Sequence, residues 1–165
     1  MNSFIKELEG QAFRKIGRAS DMCWISFGKT IIAKDYKGND VEKGTYALHI
    51  QCPWRIIKNS TQKLLLTSND IYEPSSNLQW TEEFDWDRMG NNLFDENVKQ
   101  WNDENGIYVL NFYISQLGDI RINFSNGMTF ESFLNISTDD EAWRFFKCNS
   151  KDKHMICSGL GIVFE

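Results

Sequence analysis

Apolar and polar residues alternate along most of the chain with the period of two that is typical of β-strands. Between Met22 and Phe27 both sets of alternate positions are apolar or small, which predicts a central strand covered on both faces. Further strands are predicted around a turn at residues 35–39, and they span residues 29–34, 45–57, 63–67, 107–117 and 154–164. This succession predicts an α+β protein that is predominantly antiparallel β, built as a curved sandwich or a partly open barrel.

An Asn-Gly pair between two apolar segments is the strongest local signal, and it indicates a β-hairpin. A two-residue loop would place apolar side chains opposite polar ones. A three-residue loop, residues 125–127, instead pairs Phe124 with Met128 and Ile122 with Phe130, which keeps one face apolar. We therefore predict the three-residue loop, with its glycine in the left-handed conformation of a bulge.

Helical spacing is confined to short segments, so we expect only one or two short helices. An amphipathic helix is predicted over residues 92–105, where apolar residues recur at i, i+4 and i+7 as Phe94, Val98 and Trp101. A short N-terminal helix ended by Gly10 is predicted from an apolar side that holds Phe4, Ile5 and Leu8. The spacing of Thr138 and Glu141 fits a capping box, which predicts a single helical turn before residues 143–146.

The length and composition suit one globular unit in a reducing compartment. With 165 residues, 41% of them hydrophobic, we expect residues 1–165 to form a single domain, with an acidic excursion at about residues 68–106. The N-terminal residues lack the apolar region of a signal peptide, and no apolar run is long enough to span a bilayer. We therefore expect a cytoplasmic protein with no membrane contact and with reduced cysteines, which are Cys23, Cys52, Cys148 and Cys157.

Charge is distributed unevenly along the chain. Residues 1–67 hold eleven basic and six acidic residues, whereas residues 68–106 hold two basic and ten acidic ones. The net charge of −5 argues against general nucleic-acid binding, which depends on neutralising phosphates. The acidic segment also contains aromatic residues of the kind that anchor protein interfaces. This combination favours contact with a basic protein partner. Its candidate anchors and charges are Trp80, Asp85, Trp86, Asp87 and Trp101; a plain solvated loop and a sugar or calcium site are the alternatives.

Both histidines stand three residues before a cysteine, at His49 and Cys52 and again at His154 and Cys157. Two histidines and two cysteines could complete a zinc site, and each cysteine could be a nucleophile beside its histidine. On a strand, however, residues three apart point to opposite faces. We therefore predict no metal and no cofactor. The motifs of serine hydrolases, P-loops and dinucleotide sites are also absent from the sequence.

Several polar residues lie within or beside the apolar strands, where a charge must be paired or solvated. These residues are Arg18, Asp21, His49, Arg55 and Asp70. A structural network is one interpretation, in which Asp21 and Asp70 pair with Arg18 and Arg55. A pocket that binds a small ligand, or an enzyme site, is the other interpretation.

Four motifs of this chain resemble a bacterial family of uncharacterised proteins. They are GRASDMCW at residues 17–24, YALHIQCPWR at 46–55, FDWD at 84–87 and TDDEAWRFF at 138–146. The resemblance covers most of the chain and implies a small, β-rich cytoplasmic protein, and it carries no catalytic residue with it. The segment DDEAWRFF also resembles endings of bacterial immunity proteins from toxin systems.

Together these patterns favour a non-enzymatic protein-binding module, of which an immunity-type partner for a basic toxin is the most concrete form. The first alternative is a small-ligand protein or enzyme with a pocket around Arg18, His49 and Arg55. The second is a structural or self-associating protein. The sequence leaves the oligomeric state open.

Overall fold

The computed structural model describes residues 5–35 and 37–165, and within them eleven strands form two antiparallel sheets. A helix, α1 (Leu93–Asp103), and a 3-10 helix (Ser68–Tyr72) lie between the fifth and sixth strands. The strands are β1 (Phe13–Ala19), β2 (Met22–Lys34), β3 (Asp40–Ile50), β4 (Trp54–Lys58), β5 (Lys63–Thr67), β6 (Val109–Ile114), β7 (Ile120–Phe124), β8 (Met128–Ser132), β9 (Glu141–Lys147), β10 (Met155–Ser158) and β11 (Gly161–Phe164).

The two sheets pack face to face as a sandwich, which confirms the predicted fold class. One sheet has the order β1-β2-β3-β9-β10-β11, and the other has the order β5-β4-β8-β7-β6. Alternate residues of both sheets fill one shared core together with the apolar side of α1. At one side the sheets join, because Ala12 forms an antiparallel bridge with Tyr108. The inner face of each sheet is the one that meets this core, and the outer face is the opposite one.

Strand β2 is central, since β1 and β3 pair with its two edges. Its inner residues Cys23, Ile25 and Phe27 are fully buried, whereas Met22 and Trp24 on the outer face are partly exposed. The expectation of cover on both faces is therefore wrong for this strand. The second sheet covers the inner face only, and the outer face of this antiparallel sheet is partly open to solvent.

The predicted single strand over residues 45–57 is divided between the two sheets. Strand β3 ends at Ile50, and the backbone N–H groups of Gln51 and Cys52 both donate to the carbonyl of Ala142. Pro53, which has no N–H to donate, then starts the crossing to β4 in the other sheet. Residues 154–164 likewise form two strands, β10 and β11, joined as a hairpin rather than one strand.

The helical turn predicted from Thr138 and Glu141 is also wrong. The Thr138 hydroxyl donates to Asp140 within a bend, and Glu141 begins β9. Strand β9 pairs with β3 on one side and β10 on the other, and its alternation buries Trp143 and Phe145. Pairing on both edges and burial of two large rings outweigh the weak local preference for a cap.

The predicted hairpin, amphipathic helix and turn are confirmed. Ile122 pairs with Phe130, the register of a three-residue loop, and Gly127 has a φ of +78°. The amphipathic helix is present as α1. The turn at residues 35–39 joins β2 to β3, although Tyr36 lies outside the described residues. Near the N-terminus residues 5–6 are helical and Gly10 is left-handed at a φ of +79°, while Phe4 lies outside the described residues.

Candidate functional site

Arg18 lies on the inner face of β1 and has only 2% of its side chain exposed. All five guanidinium N–H groups have acceptors. Two donate to the carboxylate of Asp95 at 2.8 and 2.9 Å, and two donate to Asp87, one to its carboxylate at 2.9 Å and one to its carbonyl at 3.1 Å. The fifth donates to the carbonyl of Ser20 at 3.1 Å. This buried cation is therefore fully occupied by the protein itself.

Asp95 provides the matching charge from the first turn of α1. Asn92 caps the helix by accepting a hydrogen bond from the Asp95 N–H at 2.8 Å, and the N–H of Gly90 donates to the Asp95 carboxylate at 2.8 Å. Burial raises the pKa of Asp95, but the hydrogen bonds from Arg18 and Gly90 lower it more, so that it lies below its ordinary value. The carboxylate therefore stays ionised. Its negative charge interacts favourably with the partial positive charge at the N-terminus of α1.

The network of Arg18 and Asp95 anchors a long segment, residues 73–92, which we call the acidic loop. Its two ends are held together, because the Ser75 N–H donates to the Asn91 carbonyl at 2.7 Å. Its middle is fixed to the cap of α1, since the side-chain amide of Asn92 donates to the Trp86 carbonyl at 2.9 Å. Side chain and backbone contacts thus give the loop a defined course without any strand or helix inside it.

Three large apolar side chains of the acidic loop are exposed, among them Leu78 at 44%. Trp80 is 67% exposed and Met89 is 73% exposed. The same loop carries four exposed acidic residues near Met89 in the sequence, namely Glu82, Glu83, Asp85 and Asp87, and one exposed basic residue, Arg88. The acidic loop therefore presents exposed apolar side chains and a net negative charge on a backbone held by hydrogen bonds.

The structure gives the predicted partner-binding residues different surroundings. Trp80 is the exposed one, while Trp86 is half-buried and packs edge-on against Tyr72 with 5.0 Å between ring centroids. Trp101 is only 5% exposed and packs in the core, so it is not available to a partner. Asp85 shapes the loop, because its carboxylate accepts from the backbone N–H groups of residues 87 and 88.

The predicted pocket residues are not brought together. Asp21 does not pair with Arg18; it accepts a hydrogen bond from the hydroxyl of Tyr72 at 3.2 Å. Asp70 caps the 3-10 helix by accepting from the backbone N–H and hydroxyl of Thr67. His49 lies on the outer face of β3, away from the inner-facing Arg18. The predicted pairing of Arg18 with Asp21 is therefore wrong.

Arg55 is the fifth predicted pocket residue, and it lies in the other sheet. Its guanidinium forms an ion pair with Glu131 on the neighbouring strand at 2.7 Å and stacks on the ring of Phe133. The predicted pairing of Arg55 with Asp70 is thus also wrong. The sequence could not show this contact, because it depends on the register between β4 and β8.

In each His-Cys pair the histidine and the cysteine lie on opposite sides of the sheet, as the alternation of side chains along a strand predicts. His49 and His154 lie on the outer face and flank the ring of Phe146, with centroid distances of 4.9 and 4.6 Å. Cys52 and Cys157 are buried in the core. Burial raises the pKa of Cys157 to about 11 and also raises the pKa of Cys52, which disfavours the reactive thiolate.

We predict that protonation of His49 and His154 destabilises the fold in mild acid. Burial lowers the pKa of His49 below 6.5, and burial and the charge of Arg144 lower the pKa of His154. Arg144 also lies 3.2 Å from Nδ1 of His154, a contact that suits only the neutral ring. The unfolded chain therefore binds protons more readily, so the free energy of unfolding should fall as the pH drops from about 7 through the two folded-state values.

Urea unfolding at a series of pH values measures this slope. In the His49→Gln/His154→Gln variant the slope between pH 7 and 5 should be clearly flatter, whatever the change in stability at pH 7. Carboxylates such as Asp95 titrate at lower pH and leave this interval unaffected. An equal slope in the variant and the wild type would contradict the assignment.

Neither Asp95 nor Met89 stands out in the sequence, although the spacing of Asn92 and Asp95 fits a helix N-cap. Among the described residues, no helix is both long and apolar enough to cross a membrane. The comparisons with known proteins returned no matching family model, no matching curated protein and no matching solved structure. The resemblance to an uncharacterised bacterial family thus stays a prediction from the motifs.

Proposed function

We propose that the protein is a non-enzymatic binding module whose acidic loop binds a basic protein partner. The observation that carries this proposal is Trp80, which is 67% exposed on a loop held in place by the buried Arg18 network. Large exposed aromatic side chains often supply most of the affinity of a protein interface. An ordered loop also loses little conformational entropy on binding, which favours affinity further.

Charge supports a basic partner rather than an acidic or neutral one. Glu82 and Glu83 are exposed and make no ion pair within the described part of the chain, so their negative charge is open to a partner. Residues 68–106 as a whole hold ten acidic and two basic residues. Such a field accelerates association with a positively charged surface and makes the rate dependent on salt.

The proposal of a non-enzymatic role is supported by how the reactive groups are used. Every N–H of the Arg18 guanidinium is bonded inside the protein, and burial raises the pKa of all four cysteine thiols. We further propose that the protein acts in the bacterial cytoplasm, which suits its free cysteines. The most specific form of this proposal is an immunity-type role in which the partner is a basic toxin.

The test starts with native mass spectrometry of gently purified protein to identify a bound basic partner, whose affinity is then measured. Trp80→Ala should weaken binding by about 2 kcal/mol, or roughly 30-fold, because it removes the exposed anchor. Tyr113→Ala is the matched control, since Tyr113 is similarly exposed but lies on β6. Equal affinity of wild type and Trp80→Ala for the partner would refute the role of the loop.

The charge contribution is measured separately through association rates. Glu82→Lys/Glu83→Lys should slow association at low salt and reduce its dependence on ionic strength. These two carboxylates are preferred to Asp85 and Asp87, whose side chains also hold the loop together. A homodimer in the mass spectrum would instead identify a second copy of the chain as the partner.

A further inference from the structure

A second surface of the molecule has the features of a ligand site. A groove of about 350 Å³ runs between α1 and the adjoining ends of β4, β5 and β8. Leu64, Leu65 and Met128 contribute apolar surface to it beside the nearly buried Trp101, and two lysines, Lys58 and Lys63, contribute the positive charge. None of these residues belongs to the acidic loop, so a ligand in this groove would bind independently of the proposed protein partner.

The two lysines are in an unfavourable arrangement as they stand. Lys58 and Lys63 are direct cross-strand partners in the register of β4 and β5, which places two positive charges side by side. Like charges directly opposite each other destabilise a sheet. Neither lysine forms an ion pair or a side-chain hydrogen bond with any described residue. The chain thus keeps two neighbouring cations at the groove without a counter-charge for them.

The other wall of the groove is polar and comes from the helix. Asn97 and Gln100 lie one turn apart on α1, and their side-chain amides make no hydrogen bond within the described residues. Glu104 adds a single carboxylate, which accepts a long hydrogen bond of 3.4 Å from Asn126. An anionic group in the groove would therefore be attracted to the lysines and repelled by Glu104, which fixes its orientation.

Leu64 gives the groove an exposed apolar surface. Its side chain is 52% exposed, whereas Trp101, whose ring packs edge-on against Phe13 and Phe124 at 5.6 and 6.0 Å, is only 5% exposed. A flat or aliphatic body lying against Leu64 would remove apolar surface from water. The groove therefore combines exposed apolar surface with two lysines and two amides that have no partner among the described residues, and such polar groups can orient a ligand.

We propose that this groove binds a small organic anion, with its carboxylate or phosphate between Lys58 and Lys63 and its apolar body against Leu64. Either anionic group satisfies two adjacent ammonium groups, and phosphate does so with the larger charge. The bound anion would neutralise the positive charge of the two lysines and so reduce their mutual repulsion.

The test is an NMR titration of the full chain with three probes of similar size, namely phenyl phosphate, phenylacetate and the neutral benzyl alcohol. The two anions should cause saturable shifts at the methyl groups of Leu64 and the side-chain amides of Asn97 and Gln100. Tighter binding of phenyl phosphate would assign a phosphate ligand, and tighter binding of phenylacetate a carboxylate ligand. Benzyl alcohol binding as tightly as the anions would overturn the proposal.

Variants test the lysines directly. Lys58→Met/Lys63→Met keeps the length of both side chains but removes their charge, and it should weaken binding of the better anion by at least about tenfold. Lys15→Met, at an exposed lysine of β1, is the control and should stay within about twofold of wild type. The double variant should unfold at no lower urea concentration than wild type, since it removes a repulsion. Unchanged anion affinity in that folded variant, or shifts confined to other residues, would also overturn the proposal.

Discussion

Replacement of Arg18 by methionine should lower the free energy of unfolding by about 3–5 kcal/mol, the usual effect of breaking a buried ion pair by removing one partner. Asp95 is 5% exposed and would be left with the Gly90 N–H, the helix N-terminus and the charge of Lys99 to stabilise its carboxylate. The carbonyls of Ser20 and Asp87 would lose their donors as well. Urea unfolding followed by far-ultraviolet circular dichroism measures the change.

An exposed ion pair provides the matched control. Arg55→Met removes a cation that pairs with Glu131 at 2.7 Å but is 45% exposed, and such pairs contribute only about 0.2–1 kcal/mol. The double variant Arg18→Met/Asp95→Asn should be less destabilised than the sum of its single variants, because no buried charge is left unpaired. If Arg18→Met loses less than about 1 kcal/mol, the network does not stabilise the fold in the way its geometry indicates.

The same variant links stability to the acidic loop. Arg18 donates to both the carboxylate and the carbonyl of Asp87, so its loss frees the middle of the loop. Hydrogen exchange at the backbone N–H of Gly90, which donates to Asp95, should accelerate in Arg18→Met relative to Arg55→Met. The ordered course of the loop on which Trp80 is presented therefore depends partly on this buried cation, together with the hydrogen bonds of Asn92 to Trp86 and of Ser75 to Asn91.

The fold could be predicted where the deciding interactions are local. The register of the hairpin follows from Ile122 and Phe130 having to share one face, and the helix from the stripe that begins at Phe94. The same stripe could have placed Trp101 in the core, because it lies at i+7 from Phe94 on the buried side. Local periodicity thus determines which elements form and which side they bury.

The candidate site depended on contacts that periodicity does not encode. Arg18 pairs with Asp87 and Asp95, which lie 69 and 77 residues further along the chain, although Asp21 is only three residues away. Asp21 lies in the turn between β1 and β2, and its carboxylate accepts a hydrogen bond from Tyr72 instead. Lys58 and Lys63 likewise become opposed only through the pairing of two strands. Long-range pairing, which the sequence leaves open, decides both sites.

Replacement of Gly118 by alanine should lower the free energy of unfolding by about 3 kcal/mol, through two separate effects. Gly118 has a φ of +104°, a conformation that costs a residue with a Cβ about 1–2 kcal/mol. A Cβ there would also lie 2.5 Å from Sγ of Cys157, and overpacking of this kind typically costs about 1–3 kcal/mol. The backbone cannot move aside freely, because the Gly118 carbonyl accepts a 2.7 Å hydrogen bond from the buried indole of Trp143.

Two further variants separate the effects of conformation and contact. Gly127→Ala changes a glycine at a φ of +78° that has open space around its Cβ position, so it should lose only the conformational part of about 1–2 kcal/mol. In the Cys157→Ala background, where the Sγ atom is gone, Gly118→Ala should destabilise by at least about 1 kcal/mol less than it does in the wild type. An equal effect in both backgrounds would mean that the strained backbone alone, and not the contact with Cys157, requires glycine at this position. Because Cys157 lies beside Trp143 in the pairing of β9 with β10, this requirement connects the turn before β7 to the centre of the core.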